Sequence, residues 1–172
     1  MGQTQLTLIE ETTSNLFDNV DISTLSIVER NVVIKLARAI LIDRFKPGEL
    51  IASPVAISDY LLHRISDFEN EVFGVVYLST RNTVIRTENL FNGTIDGASV
   101  YPRVIVQRAL QQNAASVIFF HNHPSGILEA SQADQQITKR LTAALNTVDI
   151  RVLDHLIVAG GKTLSFAERG LI

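Results

Sequence analysis

The chain has 172 residues, enough for one ordinary domain with a core of its own. Apolar residues make up 46% and charged residues 19%, a globular balance that excludes a disordered chain, and apolar stretches such as Ala115–Phe120 are far too short to cross a bilayer. There is no cysteine, which excludes disulfides and thiolate metal sites, and the net charge of −3 argues against a nucleic-acid binder driven by charge alone.

The start, Met1-Gly2-Gln3-Thr4, lacks the basic-then-apolar pattern of a signal peptide, so a cytoplasmic location with no membrane association is expected. The first twenty-five residues are polar and read as an arm. From Ser26 the spacing of Ile27, Val28, Val32, Leu36, Ile40 and Leu41 predicts an amphipathic helix ending near Phe45, where Lys46-Pro47-Gly48 is a stop signal. A second helix is expected from Ser53, with Pro54 at its first position, through Leu62. Its His63 is expected to be exposed.

After Asp67 the pattern changes to strands. Glu71–Ser79 and Asn82–Phe91 read as a hairpin turning at Thr80-Arg81, and Asn92-Gly93-Thr94 and Asp96-Gly97-Ala98 as loop. Pro102 opens a helix through Leu110. Ala115–His121 reads as a buried central strand, Ser131–Leu145 as a helix, and Asp149–Val158 and Thr163–Ala167 as two further strands around the Gly160-Gly161 turn. Strands alternating with helices predict α/β layering around one mixed sheet.

Of four histidines, His121 and His123 stand where the buried strand runs out, ahead of the turn Pro124-Ser125-Gly126. Alternate residues of a strand share a face, so both imidazoles can point to one side while Asn122 points away and holds the turn. Asp134 falls in the first turn of the next helix and can reach back. Two imidazoles and a carboxylate form a catalytic zinc set, because three protein ligands leave a fourth position for water. Ser131-x-x-Asp134 is also a helix N-cap pattern, and the two readings are compatible. For Asp154-His155 the default is an intrastrand pair at the core edge, with a hydrogen bond behind the metal site as the alternative. Arg103, at a helix start, suits either a surface ion pair or an anchor for a carboxylate.

Taken together, His121-x-His123, a gap of seven residues and Ser131-x-x-Asp134 match the signature of the JAMM (JAB/MPN) metalloprotease family. The chain resembles the bacterial RadC-type members most, through Glu71-Val72-Phe73, Phe91-Asn92-Gly93, Val100-Tyr101-Pro102-Arg103, His121–Gly126, Ser131–Asp134, Leu153-Asp154-His155 and Ser165–Gly170, in matching order over roughly residues 70 to 172. It departs from the usual pattern at Ala130, where a proline commonly stands, and at Val104, where an acid does. Residues 1–66 offer a polar arm and two helices, less than the helical region that longer RadC proteins carry in front.

The resemblance implies a JAB/MPN-like (cytidine-deaminase-like) layered α/β fold, with a central mixed sheet flanked by helices over residues 67–172 and an N-terminal helical extension over 1–66. It implies a zinc-dependent metallopeptidase or isopeptidase, with His121, His123 and Asp134 on Zn2+, Ser131 in the oxyanion hole and Glu71 as general acid/base, neighbouring Glu69 being its rival. The substrate would be a protein or peptide of unknown identity. The alternative is a RadC-type DNA-repair-associated or protein-interaction module with little catalysis, although the acidic charge lends nucleic-acid binding no support. A zinc deaminase is set aside, since its Pro-Cys-x-x-Cys ligands are absent. The apolar first helix leaves a homodimer open.

Overall fold

A computed structural model describes residues 22–43, 47–48, 50–51, 53–93 and 100–172. Residues 1–21 of the expected arm, the helix end at Phe45, and the loop through Asp96-Gly97-Ala98 lie outside the described residues. Chain contacts divide the molecule into residues Met1–Ala37 and Arg38–Ile172.

Helix α1 spans Ile27–Asp43, near the predicted bounds. Ser26 begins it as a capping box, its hydroxyl and backbone N–H both donating to Glu29 Oε2. The apolar spacing gives the helix a face, but Val28, Val32 and Leu36 on that face are exposed. No described helix is long and apolar enough to cross a membrane.

In the second unit, α2 (Pro54–Ile65) starts where Pro54 predicts, with Ser53 Oγ accepting from the N–H of Ala56 at 3.2 Å. His63 is half-buried rather than exposed, because its helix lies against the sheet and not in solvent. Its carbonyl accepts from Arg38 Nε at 3.0 Å, and Arg38 also pairs with Asp67.

Strands β1 (Val72–Leu78) and β2 (Val84–Asn92) form the predicted hairpin. Asn82 takes the positive φ that its turn requires. Helix α3 (Pro102–Gln111), β3 (Ser116–Asn122), α4 (Gln132–Asn146), β4 (Arg151–Ala159) and β5 (Lys162–Ser165) follow. The sheet order is β2-β1-β3-β4-β5. Among the described strands only the β3–β4 pair is parallel, as expected of strands joined through a helix.

The two faces of the sheet follow from period-two alternation. Val76, Leu78, Ile118, Phe120, Leu156 and Val158 face α2, with Leu61 and Ile65. Phe73, Val75, Tyr77, Val117 and Phe119 face the other way, onto Ile105 and Ala109 of α3 and Leu141 and Leu145 of α4. Strand β3 is therefore covered on both sides and buried along its whole length. Its C-terminal end brings polar groups into that buried layer.

Candidate metal centre

The last two residues of β3 and the one that follows are buried or half-buried polar residues, and each is positioned differently. His121 lies on the face of Val117 and Phe119, and is fully buried. Asn122 points to the opposite side, as the sequence indicates. There its Oδ1 accepts from the N–H of Val72 at 2.8 Å, and its Nδ2 donates to the carbonyls of Phe68 and Asn70, each at 3.1 Å. One side chain thus ties down the segment that leads into β1. Asn122→Asp would set a carboxylate oxygen against two carbonyls in a buried place. We expect it to destabilise the fold by about 2–3 kcal/mol in urea titration. Unchanged stability would show that the amide does not hold this segment.

His123 leaves the strand, its backbone N–H still donating to Val158 O at 2.8 Å. Its Nδ1 lies 2.9 Å from the carbonyl of Ile127. A carbonyl only accepts, so Nδ1 carries the proton, and in the neutral ring Nε2 is left as a lone pair. Gly126, at φ +77°, turns the chain back so that Ile127 can make this contact.

Asp134 comes from the first turn of α4. Ser131 caps that helix in a full capping box. Ser131 Oγ accepts from the Asp134 N–H at 3.1 Å, while Asp134 Oδ2 accepts from the Ser131 N–H at 2.8 Å and from its hydroxyl at 2.7 Å. The cap aims the carboxylate at the end of β3. His121 Nε2 is 3.3 Å from Asp134 Oδ1, His123 Nε2 is 3.6 Å from Oδ2, and the two Nε2 atoms are 2.9 Å apart. One ligand atom from each residue falls within a 4.8 Å span, the group among the described residues that could hold a metal ion.

The donor set fits such an ion. An unprotonated imidazole nitrogen and carboxylate oxygens converge with acceptors facing acceptors, an arrangement that calls for a cation between them. Where no cation is present, a proton takes its place. The hydrogen bond with Asp134 lifts the His123 pKa, whereas burial pushes that of His121 down. Burial alone would raise the Asp134 carboxyl, but the contacts with His121, His123 and Ser131 outweigh it and hold the group far below the usual carboxylate range.

Glu71 precedes β1 directly. Strands β1 and β3 are antiparallel and their ladder ends at Phe73 opposite His121; the same register continued two residues would bring Glu71 opposite His123, on the face of His121. The Glu71 charge lies close enough to favour the protonated form of both histidines, a contribution smaller than the burial that lowers His121 and the Asp134 contact that raises His123. Glu71 is half-buried and is not part of the metal-ligand grouping. Glu69 is exposed and instead lines an open cleft of about 540 Å3 beside His123, together with Asp67, Phe68, Pro124 and Gly160. Arg103 is exposed on the first turn of α3.

Behind His121 stands His155, with Nε2 2.8 Å from His121 Nδ1. The second of the two sequence alternatives is therefore the one found. The ring of His155 is fully buried among Phe73, Phe119 and Phe166. Asp154 anchors the last of these, accepting from the N–H of Ala167 at 2.9 Å and from the Ser165 hydroxyl at 2.6 Å. Thr138, which no sequence motif marks, completes the cluster at 2.6 Å from His155 Nδ1. Its only signal is its place one turn after Asp134 on the same helix face.

Comparison with known proteins agrees with the fold. A family model described as "RadC-like JAB domain" matches residues 51–171. A UPF0758 protein of Cellvibrio japonicus is 52% identical over 83% of this chain and 64% of its own length. One from Nitrosococcus oceani is 52% identical over 81% of this chain and 62% of its own, and one from Thiobacillus denitrificans is 53% identical over 80% and 62%. The chain thus spans a little under two thirds of these curated relatives. With the motif segments, the mixed sheet and the family match in agreement, the chain belongs to the RadC-type proteins of the JAB/MPN family.

Proposed function

We propose that this chain is a zinc-dependent hydrolase that cuts an amide bond, in the manner of JAMM peptidases and isopeptidases. The observation that carries the reading is the convergence of His121 Nε2, His123 Nε2 and the Asp134 carboxylate on one point, the His123 lone pair being fixed by the carbonyl of Ile127. Those three residues would hold the ion. Bound there, zinc would supply a Lewis acid that brings the pKa of a coordinated water towards ~7 and polarises the scissile carbonyl.

The remaining work falls to the protein. Glu71, where the continued register leads to His123 and outside the ligand group, is the general base: it takes the proton of the attacking water and delivers it to the departing amine nitrogen. Ser131 is a hydrogen-bond donor to the developing oxyanion. Its hydroxyl now donates to Asp134 Oδ2, so serving the oxyanion requires rotation about the Cβ–Oγ bond, a small motion at the end of a fixed helix. The cleft beside His123 gives an extended peptide a way to the solvent-facing edge of that ring.

The test joins metal content to hydrolysis. Purified protein is expected to bind zinc near one equivalent and to cleave members of a fluorogenic peptide library in a chelator-sensitive way. Glu71→Gln is expected to keep the zinc and to lower kcat by about 10²–10⁴. A wild type that binds no zinc, or a Glu71→Gln protein as active as wild type, would sink the assignment.

A further inference from the structure

Behind His121 runs a chain of contacts whose protons can be assigned one by one. Thr138 Oγ1 lies 2.5 Å from the backbone carbonyl of Asp134, one helical turn earlier. Two oxygens that close must share a hydrogen, and the carbonyl has none, so the threonine hydroxyl donates to it. The same Oγ1 lies 2.6 Å from His155 Nδ1. Its only proton being committed, Oγ1 can only accept there, and His155 Nδ1 carries a hydrogen. The His155 ring is fully buried among three aromatic rings, where an imidazolium would go unsolvated, and its Nε2 meets the ring nitrogen of His121 and not a carboxylate, so the ring is neutral and its Nε2 is a lone pair. That lone pair faces His121 Nδ1 at 2.8 Å, so His121 carries its proton on Nδ1. What remains on His121 Nε2 is a lone pair directed at the ligand point.

We propose that Thr138 and His155 are positioning residues that lock His121 in the Nδ1–H tautomer, so that its Nε2 is permanently presented as a metal ligand. The polarity of the chain starts at a backbone carbonyl, which cannot reverse. A histidine on its own holds its proton on either nitrogen and would present an N–H to the metal part of the time. The relay also ties two ligands into one unit, because the carbonyl that fixes Thr138 belongs to Asp134, whose carboxylate lies 3.3 Å from His121 Nε2. His123 reaches the same tautomer by a shorter route, through the carbonyl of Ile127. The role for metal binding rests on the zinc reading above, whereas the tautomer assignment does not.

The experiment reads the two separately. Metal-free protein labelled with 15N in its histidines, at mildly alkaline pH, reports each tautomer by two-bond 1H–15N correlations. His121 and His155 are both expected as Nδ1–H. Thr138→Val removes the hydroxyl and keeps the shape. His155 then loses the acceptor that holds its proton on Nδ1, turns to Nε2–H, and forces the His121 proton onto Nε2. We expect both tautomers to change and zinc affinity, read by competition with a chromophoric chelator, to fall about 10–100-fold. Thr138→Ser, which keeps the hydroxyl, is expected to restore both.

An Nε2–H proton on His121 in the wild type, or unchanged tautomers in Thr138→Val whatever its affinity, overturns the proposal. If Thr138→Val does not fold, His155→Gln supplies the second arm. Its amide can accept from His121 and donate to Thr138, so His121 is expected to stay Nδ1–H, and a change there overturns the relay. A wild type that shows the expected tautomers but binds no zinc overturns the hydrolase reading alone.

Discussion

His123→Ala is expected to abolish stoichiometric zinc binding while leaving the fold in place. Three ligands share the ion, and structural zinc sites with four ligands bind with about 10–16 kcal/mol, or about 2.5–4 kcal/mol per ligand. Removing one ligand should therefore weaken binding by a factor on the order of 10²–10³. His123 is the informative choice because its side chain is 13% exposed and, outside the ligand group, bonds to the carbonyl of a surface turn. Losing that bond costs about 0.5–1.5 kcal/mol. His121 is fully buried against His155, and Asp134 closes the capping box of α4, so Asp134→Ala also removes a cap worth about 1 kcal/mol and confuses the two effects. Chelator competition measures the affinity. A thermal shift checks it independently, since excess zinc should raise the wild-type Tm and leave that of His123→Ala unmoved. Wild-type zinc affinity in the variant would remove His123 from the ligand set.

Much of this centre could be read from sequence because its parts obey local rules. The apolar run before His121 has the composition of a strand covered on both faces, and two-residue periodicity then puts His121 and His123 together and Asn122 opposite. The Ser131 cap places Asp134 by its spacing alone. Glu71 needed more than its own neighbourhood. Sequence leaves Glu69 beside it as a rival, and what favours Glu71 is the antiparallel register of β1 with β3, which continued past Phe73 and His121 leads to Glu71 and His123. His155 and Thr138 lay beyond local rules altogether. His155 meets His121 because parallel strands pair Phe119 with His155 and His121 with Ile157, a register fixed by how the crossover through α4 packs. Thr138 is an unremarkable helix threonine until that strand arrives beside it. In the same way the spacing in α1 shows that the helix has an apolar face, but Val28, Val32 and Leu36 there are exposed, and spacing does not name what covers a face.

The buried polar cluster has to be supported by a rigid sheet, and Gly74 is where that support is most sensitive. Gly74→Ala is expected to destabilise the protein more than any other single methyl addition at a described glycine. Gly74 sits in β1 between β2 and β3, beside an irregularity in the β1–β2 register. A Cβ added there would lie 2.1 Å from Phe120 Cζ and 2.5 Å from the carbonyl oxygen of Glu88. The first contact belongs to a fully buried ring in the core under α2, and the second to the backbone of the neighbouring strand. Neither can yield without opening the core or the ladder, so the cost should reach about 3–4 kcal/mol, the upper range for an overpacked interior. In a chain of this size that lowers Tm by roughly 10 °C.

Gly126 provides the contrast. It has no atom within 4 Å of an added Cβ but holds φ +77°, so Gly126→Ala meets only backbone strain of about 1 kcal/mol. Phe120→Leu in the Gly74→Ala background removes Cζ and should recover part of the loss, leaving the contact with Glu88 O. Equal destabilisation by the two glycine variants, or no recovery in the double variant, would mean that β1 is held by something other than this close approach.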